Sequence, residues 1–135
     1  MKKTFWAALL ALAGAATAAT AAEVIYDCSA SYNSSKGFIG PRVVFFIDTE
    51  KAIVRVLDGV VQGTVGAPIE GKLTKRSDKV YRIDWRVINV PTQAGALNVT
   101  YRADLNHVAK SYTMEARVGG YDNDARGEGR CKIAG

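Results

Sequence analysis

The feature that most constrains the fold is a regular alternation of apolar and polar residues from Lys79 to Val118. The apolar positions fall into three groups: Tyr81, Ile83, Trp85 and Val87; Leu97, Val99, Tyr101, Ala103 and Leu105; Tyr112, Met114, Ala116 and Val118. Successive side chains of a β-strand point to opposite faces, so a period of two indicates strands. The pattern predicts three consecutive antiparallel strands with one buried and one solvated face.

Charged residues on the solvated face predict how these strands pair. Placing Val90 opposite Ala96, and Leu105 opposite Tyr112, sets Trp85 against Tyr101 and Ile83 against Ala103. It also aligns three opposite-charge pairs: Arg82–Asp104, Asp84–Arg102 and Arg102–Glu115. Cross-strand ion pairs contribute roughly 0.2–1 kcal/mol each, so they select a register more than they stabilise the sheet. A slip of one residue would expose the apolar rows.

Residues 1–22 have the pattern of a secretory signal peptide. A basic start (Met1-Lys2-Lys3) precedes an apolar stretch from Phe5 to Ala13, and Ala19-Thr20-Ala21 fits a cleavage site. The apolar stretch is shorter than the roughly 20 residues of a membrane span, so we expect no span after cleavage. The prediction is a single domain over residues 23–135 in the periplasm or outside the cell.

Charge and cysteine content restrict the function classes. Without Lys2 and Lys3, 16 basic and 13 acidic residues remain, and they are spread along the chain. No basic cluster marks a nucleic-acid site. Cys28 and Cys131 lie near the two ends of the mature chain, and in an oxidising compartment such a pair predicts a disulfide. Two cysteines and one histidine are too few for a structural zinc site.

Further strands are predicted over residues 23–30, 42–48, 52–57, 69–75 and 127–133. Residues 58–68 allow two interpretations. Asp58-Gly59 can form a hairpin turn that leads into a strand over 60–65, or the whole segment can be an irregular connection with three glycines. We favour the irregular connection, because nine strands would not close simply. No helix is predicted in the mature chain.

Long and short connections alternate along the chain. The predicted long connections are 31–41, 58–68, 91–95 and 119–126, and the short turns are 49–51, 76–78 and 107–110. In an up-and-down arrangement, all long connections share one end. The fold prediction is an all-β, antiparallel up-and-down barrel of about eight strands, closed by a disulfide between its terminal strands. A two-sheet β-sandwich is the alternative.

No catalytic constellation is evident in the sequence. His107 lies in a predicted turn, no serine has a nucleophile-elbow pattern, and both cysteines belong to the predicted disulfide. Asp122-Asn123-Asp124 resembles an ion-binding turn, but Arg126 occupies the fifth position of the EF-hand spacing. We therefore expect no enzyme activity, no catalytic residue, no cofactor and no metal.

Function is instead expected at the rim formed by the long loops. The candidate binding residues are Phe38, Ile39, Tyr121, Asp122, Asp124 and Arg126. The predicted protein is a monomeric, non-catalytic binding domain that contacts a protein or an envelope component. One alternative is a carrier of a small apolar ligand in the barrel interior, although the bulky interior rows favour a filled core. The other is an inhibitor of an envelope-targeting enzyme.

Several short segments resemble those of uncharacterised small exported proteins of Gram-negative bacteria. They are the signal peptide, Tyr26-Asp27-Cys28, the segment 37–42 (Gly-Phe-Ile-Gly-Pro-Arg), Gly119-Gly120-Tyr121-Asp122 and the ending 127–131. The expected architecture is also similar to that of periplasmic inhibitors of c-type lysozyme, which are small barrels with a cysteine near each end. Their inhibitory Ser-Gly-x-x-Tyr motif has no match here, so the resemblance implies architecture and assigns no inhibitory residue.

Overall fold

Eight antiparallel strands form a closed barrel in the computed structural model, which describes residues 23–34, 37–120 and 124–134. The strands are β1 (Val24–Asn33), β2 (Arg42–Asp48), β3 (Ile53–Asp58), β4 (Ile69–Lys75), β5 (Val80–Thr92), β6 (Gly95–Asn106), β7 (Ser111–Val118) and β8 (Asp124–Ala134). Each strand pairs with its sequence neighbours, and β8 pairs with β1. The predicted barrel is confirmed, and the β-sandwich alternative is wrong.

The pairing of β5, β6 and β7 follows the predicted register over most of its length. Trp85 lies opposite Tyr101, and Leu105 lies opposite Tyr112. Val90, however, faces Leu97 rather than Ala96, because the register shifts between Val87 and Val90. Asn89 in this bulge has φ 58°, a left-handed conformation that asparagine tolerates better than most residues.

A disulfide and a close backbone approach hold the barrel closed where β1 meets β8. Cys28 lies opposite Cys131, and the two form the predicted disulfide. Two residue pairs away, a Cβ on Gly129 would collide with the Ser29 carbonyl oxygen and lie 2.8 Å from the Ala30 Cα. Because only glycine allows this approach, Gly129 lets the two strands pair here.

Aromatic side chains fill the middle of the barrel. The Trp85 ring stacks on Tyr101 with centroids 5.0 Å apart, and Phe45 meets Trp85 edge-on at 5.9 Å. Phe45, Tyr101, Ile83 and Leu105 are fully buried. These four side chains have no surface accessible to water, so no water-sized cavity borders them. Around these residues the barrel interior is filled, as the sequence predicts.

Residues 58–68 contain a short helix that the sequence prediction missed. The helix α1 (Gly59–Thr64) begins after Asp58, whose carboxylate accepts a hydrogen bond from the Val61 backbone N–H at 2.8 Å. Aspartate is a preferred residue at this capping position. Val61 is fully buried, and α1 packs against β3 and β5. The proposed strand over 60–65 is wrong, and the irregular connection is partly helical.

The connections that follow β1, β3, β5 and β7 share one end of the barrel, which we call the long-loop rim. The turns after β2, β4 and β6 form the opposite end, the short-turn rim. Two predicted loop bounds are wrong. Residues 91–95 form a tight two-residue turn between Thr92 and Gly95, and β8 already begins at Asp124. No helix in the described ranges is long and apolar enough to cross a membrane.

Candidate binding rim

The first long loop places its two predicted binding residues differently. Phe38 is partly buried at the rim, where its carbonyl oxygen accepts a hydrogen bond from the Tyr101 hydroxyl at 2.7 Å. Ile39 is only 4% exposed and belongs to the hydrophobic core. A Cβ on Gly127 would lie 2.9 Å from the Ile39 side chain, so Ile39 packs inward over β8. Phe38 can therefore contact a partner, whereas Ile39 cannot.

The predicted binding residues near the last loop lie on β8 rather than in a loop. Asp124 is the first residue of β8 and forms an ion pair with Arg117 at 3.4 Å. Arg126 extends from the outer wall and lies 3.5 Å from Glu115. The predicted residues Tyr121 and Asp122 lie outside the described residues.

The first loop meets the start of β8 at the long-loop rim. The Ser34 backbone N–H donates to the Arg126 carbonyl oxygen at 2.7 Å, and the Arg126 N–H donates to the Ser34 hydroxyl at 3.0 Å. Beside the neighbouring strands β6 and β7, the Gly119 N–H donates to the Asn98 carbonyl oxygen at 3.0 Å. These bonds tie the loop ends to one another and to the barrel wall.

A groove of about 350 Å³ crosses the long-loop rim between the first loop, α1 and the end of β5. Its lining residues are uncharged: Gly37, Phe38, Gly59, Val60, Gly63, Thr64, Val90, Pro91 and Thr92. The volume lies at the lower end of the range for ligand sites, which is about 300–1,000 Å³. Of the four predicted binding residues that the structure describes, only Phe38 lines it.

Glycines keep one side of this groove open. A Cβ added at Gly59 or Gly63 would meet no atom within 4 Å. A glycine in a helix costs about 1 kcal/mol relative to alanine, so these two residues do not favour α1. Their effect is to leave the backbone of α1 accessible to whatever enters the groove.

The connecting segments of the long-loop rim that the structure describes carry no charged side chain. Segments 37–41, 59–69, 87–99 and 118–120 contain no Asp, Glu, Lys, Arg or His. The carboxyl group of Asp58 is 6% exposed beneath α1. These described segments therefore offer apolar surface, amides and hydroxyls, but no ionisable side chain.

Asp58 acts as a structural residue at this rim. Burial raises the pKa of its carboxyl group, and hydrogen bonds from the Val61 and Val60 N–H groups lower it in part. Burial, and then the nearby Asp58 carboxylate, raise the pKa of the Tyr101 hydroxyl. Among the described residues, Asp58 Oδ2 has no hydrogen-bond partner. The carboxylate of Asp58 caps α1.

A second groove, of about 380 Å³, lies at the short-turn rim. The His107 ring stacks on Tyr81 at 4.3 Å, and its Nε2–H donates to the Asp78 carbonyl oxygen at 2.9 Å. Lys75 and Asp78 also line this groove, and their side chains are 3.7 Å apart. His107 therefore organises a turn, although the sequence predicted only that it would lie in one. Within the described ranges, no three His, Cys, Asp or Glu residues are placed to hold a metal ion.

Sequence reasoning missed α1 and the contribution of β5 to the rim groove. One signal for the helix was Asp58, a residue type that often caps helices, directly before Gly-Val-Val-Gln. The other was the absence of charge over 59–69 and 87–99.

Comparisons with known proteins add no family to this description. The chain matches no family model, and no curated protein or solved structure matches it significantly. The shape and charge of the rim are therefore the features that bear on function.

Proposed function

We propose that the protein is a non-catalytic binding domain that recognises a protein or another envelope component through the long-loop rim. The observation that carries this proposal is the uncharged groove of about 350 Å³ between Phe38, α1 and Val90–Thr92. Concave, mainly apolar surfaces of this size are where ligands and partner side chains bind. Phe38 and Val60 supply the apolar contact area.

The rim is supported by a rigid wall, as a binding surface requires. The hydrogen bond from Tyr101 to the Phe38 carbonyl oxygen ties the first loop to the centre of the barrel. The buried Val61 side chain anchors α1 in the core. Loops held in place before binding lose less conformational entropy when a partner binds.

The proposed location is the periplasm or the cell exterior. A disulfide joins Cys28 and Cys131, and disulfides persist mainly in oxidising compartments. The sequence pattern of residues 1–22 supports the same location. The interior carrier is not proposed, because aromatic rings occupy the middle of the barrel.

A charge placed in the groove tests the proposal. Gly63→Glu adds a carboxylate to a residue that lines the groove, and a Cβ at Gly63 meets no atom within 4 Å, so the fold should persist. Gln62→Glu is the matched control, because Gln62 is exposed on the same helix and does not line the groove. The purified proteins are immobilised and exposed to periplasmic extract, and the bound material is analysed by mass spectrometry.

We expect the wild type and Gln62→Glu to capture the same component, and Gly63→Glu to lose at least about 90% of it, since burying an unpaired charge is strongly unfavourable. Circular dichroism establishes that both variants fold. Equal capture by all three proteins contradicts the proposed use of the groove.

A further inference from the structure

We propose that the long-loop rim docks on the surface of an anionic phospholipid bilayer. This inference rests on the proposed function, because it names the partner of the same rim. It follows from three observations: exposed apolar side chains on an uncharged end, outward-facing arginines beside that end, and an exposed tyrosine among those arginines.

Exposed apolar side chains lie at the outer edge of the rim. Val65, which follows α1, is 53% exposed, and Ile88, in the β5 bulge, is 57% exposed. With Phe38, Val60 and the groove between them, they form an apolar end without a described charged side chain. Such a surface can enter the boundary between headgroups and acyl chains without burying an ion.

Three exposed arginines lie within three residues of the long-loop end of their strands. They are Arg42 at the start of β2, Arg117 near the end of β7 and Arg126 near the start of β8. Their side chains are 65%, 67% and 69% exposed, whereas their paired carboxylates Asp27, Asp124 and Glu115 are 13%, 34% and 35% exposed. The guanidinium groups therefore face outward, and the carboxylates are shielded behind them.

Tyr32 adds the aromatic residue that is typical of membrane interfaces. It lies on β1, between the arginine-bearing strands β8 and β2, and is 58% exposed. Its direct partner on β8 is the exposed Glu128, which lies two residues beyond Arg126. Tyrosine favours the headgroup region, because its ring is apolar and its hydroxyl is polar. Glu70, exposed near the start of β4, interrupts the cationic side on the far side of the rim.

This combination favours a bilayer over a protein partner. The cores of protein interfaces are enriched in aromatic residues and arginine and depleted of other charged residues. In the described part of the rim, the arginines lie beside the apolar surface rather than within it. An apolar surface bordered by cations matches the layered structure of an anionic bilayer, in which phosphate groups lie outside the acyl chains.

Vesicle flotation with the purified protein tests the inference. The probes are vesicles of phosphatidylcholine alone and of equal parts phosphatidylcholine and phosphatidylglycerol. Ile88→Glu should weaken binding to the mixed vesicles about tenfold or more, because it puts a charge into the inserted surface. Val108→Glu is the matched control: Val108 is 58% exposed but lies at the short-turn rim, so binding should not change.

The role of the arginines is tested separately, through the salt dependence of vesicle binding. The double variant Arg117→Gln/Arg126→Gln should bind the mixed vesicles several-fold more weakly at low salt, because each cation near an anionic surface strengthens binding. Raising the salt concentration should reduce this difference, since exposed charges are screened. An unchanged salt dependence in the double variant contradicts the role assigned to these arginines.

Failure of the inference is distinguishable from failure of the proposed function. Absence of binding to both vesicle types, or equal loss in Ile88→Glu and Val108→Glu, overturns bilayer docking. If vesicles do not bind but Gly63→Glu still abolishes capture of a protein from extract, the rim binds a protein and only the bilayer inference fails. If neither vesicles nor extract components bind through the rim, both proposals fail.

Discussion

The two ends of the barrel differ in how their backbone is held. At the short-turn rim, Asp48, Ser77 and Asn106 each accept hydrogen bonds from backbone N–H groups two and three residues further on. These side chains close each turn locally. At the long-loop rim, contacts between distant residues carry more of the structure, as when Tyr101 donates to the Phe38 carbonyl oxygen.

The charges differ in the same way. The short-turn rim has ionised residues in its turns, including Glu50, Lys51, Asp78 and Lys79. The described connections of the long-loop rim contain no ionisable side chain, and the carboxylate of Asp58 is held beneath α1. One end is therefore suited to remain in water, and the other has the surface expected of a binding end.

Removing the covalent closure tests whether both ends depend on one common wall. Cys28→Ala/Cys131→Ala should lower the free energy of unfolding by up to about 4–5 kcal/mol, because the disulfide closes a loop of about 100 residues in the unfolded chain. Urea denaturation measures this loss. The reduced wild type is the control and should lose a similar amount. A loss below about 1 kcal/mol indicates that strand pairing alone closes the barrel.

Replacing the helix cap should destabilise the long-loop rim selectively. Asp58→Ala removes the hydrogen bond to the Val61 N–H and should cost about 1–2 kcal/mol of unfolding free energy. Asp58→Asn keeps a capping oxygen and should lie within about 1 kcal/mol of the wild type. Thermal denaturation and amide exchange at Val61 measure the difference. Equal stability of the alanine and asparagine variants argues against the cap.

Two carboxylates should give the ends opposite pH dependence. At the short-turn rim, the hydrogen bond from Arg82 is the main cause that lowers the pKa of Asp104, and Arg76 adds to it. Its contribution is present above the unfolded pKa of about 3.9 and is lost as pH falls through the lower folded pKa. At the long-loop rim, burial raises the pKa of Asp58. Its contribution is present below the unfolded pKa and is lost as pH rises through the raised folded pKa.

Comparing the wild type with Asp104→Asn and with Asp58→Asn from about pH 2 to pH 7 measures both effects by urea denaturation. The Asp104 contribution should remain below about 1 kcal/mol, because its partners are partly exposed and solvent screens the ion pairs. If both differences change with pH in the same direction, the electrostatic contrast between the ends is wrong.

The smallest expected effect is a gain of stability at the rim. Gly63→Ala should raise the free energy of unfolding by about 0.5–1 kcal/mol, because alanine favours a helix and its Cβ meets no atom. Gly66→Ala is the contrasting control. Gly66 has φ +85°, so alanine there is strained and should destabilise the protein. Urea denaturation of the two variants should therefore give changes of opposite sign.

Most of the barrel wall could be predicted from the sequence, but little of the candidate site could. The alternation around Trp85 and Tyr101, and the Arg82–Asp104 pair, depend on residues directly opposite one another, so local patterns contain the information. Arg102 was expected between two carboxylates. Arg102 lies opposite Asp84 and Glu115 in the strand register, but it donates a hydrogen bond only to Asp84 among these two. Glu115 forms an ion pair with Arg126 instead, because β8 borders β7 on its other side.

The sequence by itself determined the strands, most of their register, the end at which the long loops meet and the cysteine pair. Tertiary structure alone decided that Ile39 turns into the core, that α1 covers Asp58, and that Val60 and Pro91 line the same groove as Phe38. The physical reason is that strand patterns record which face of the chain is buried. Whether a loop residue is buried depends instead on which distant segment packs over it.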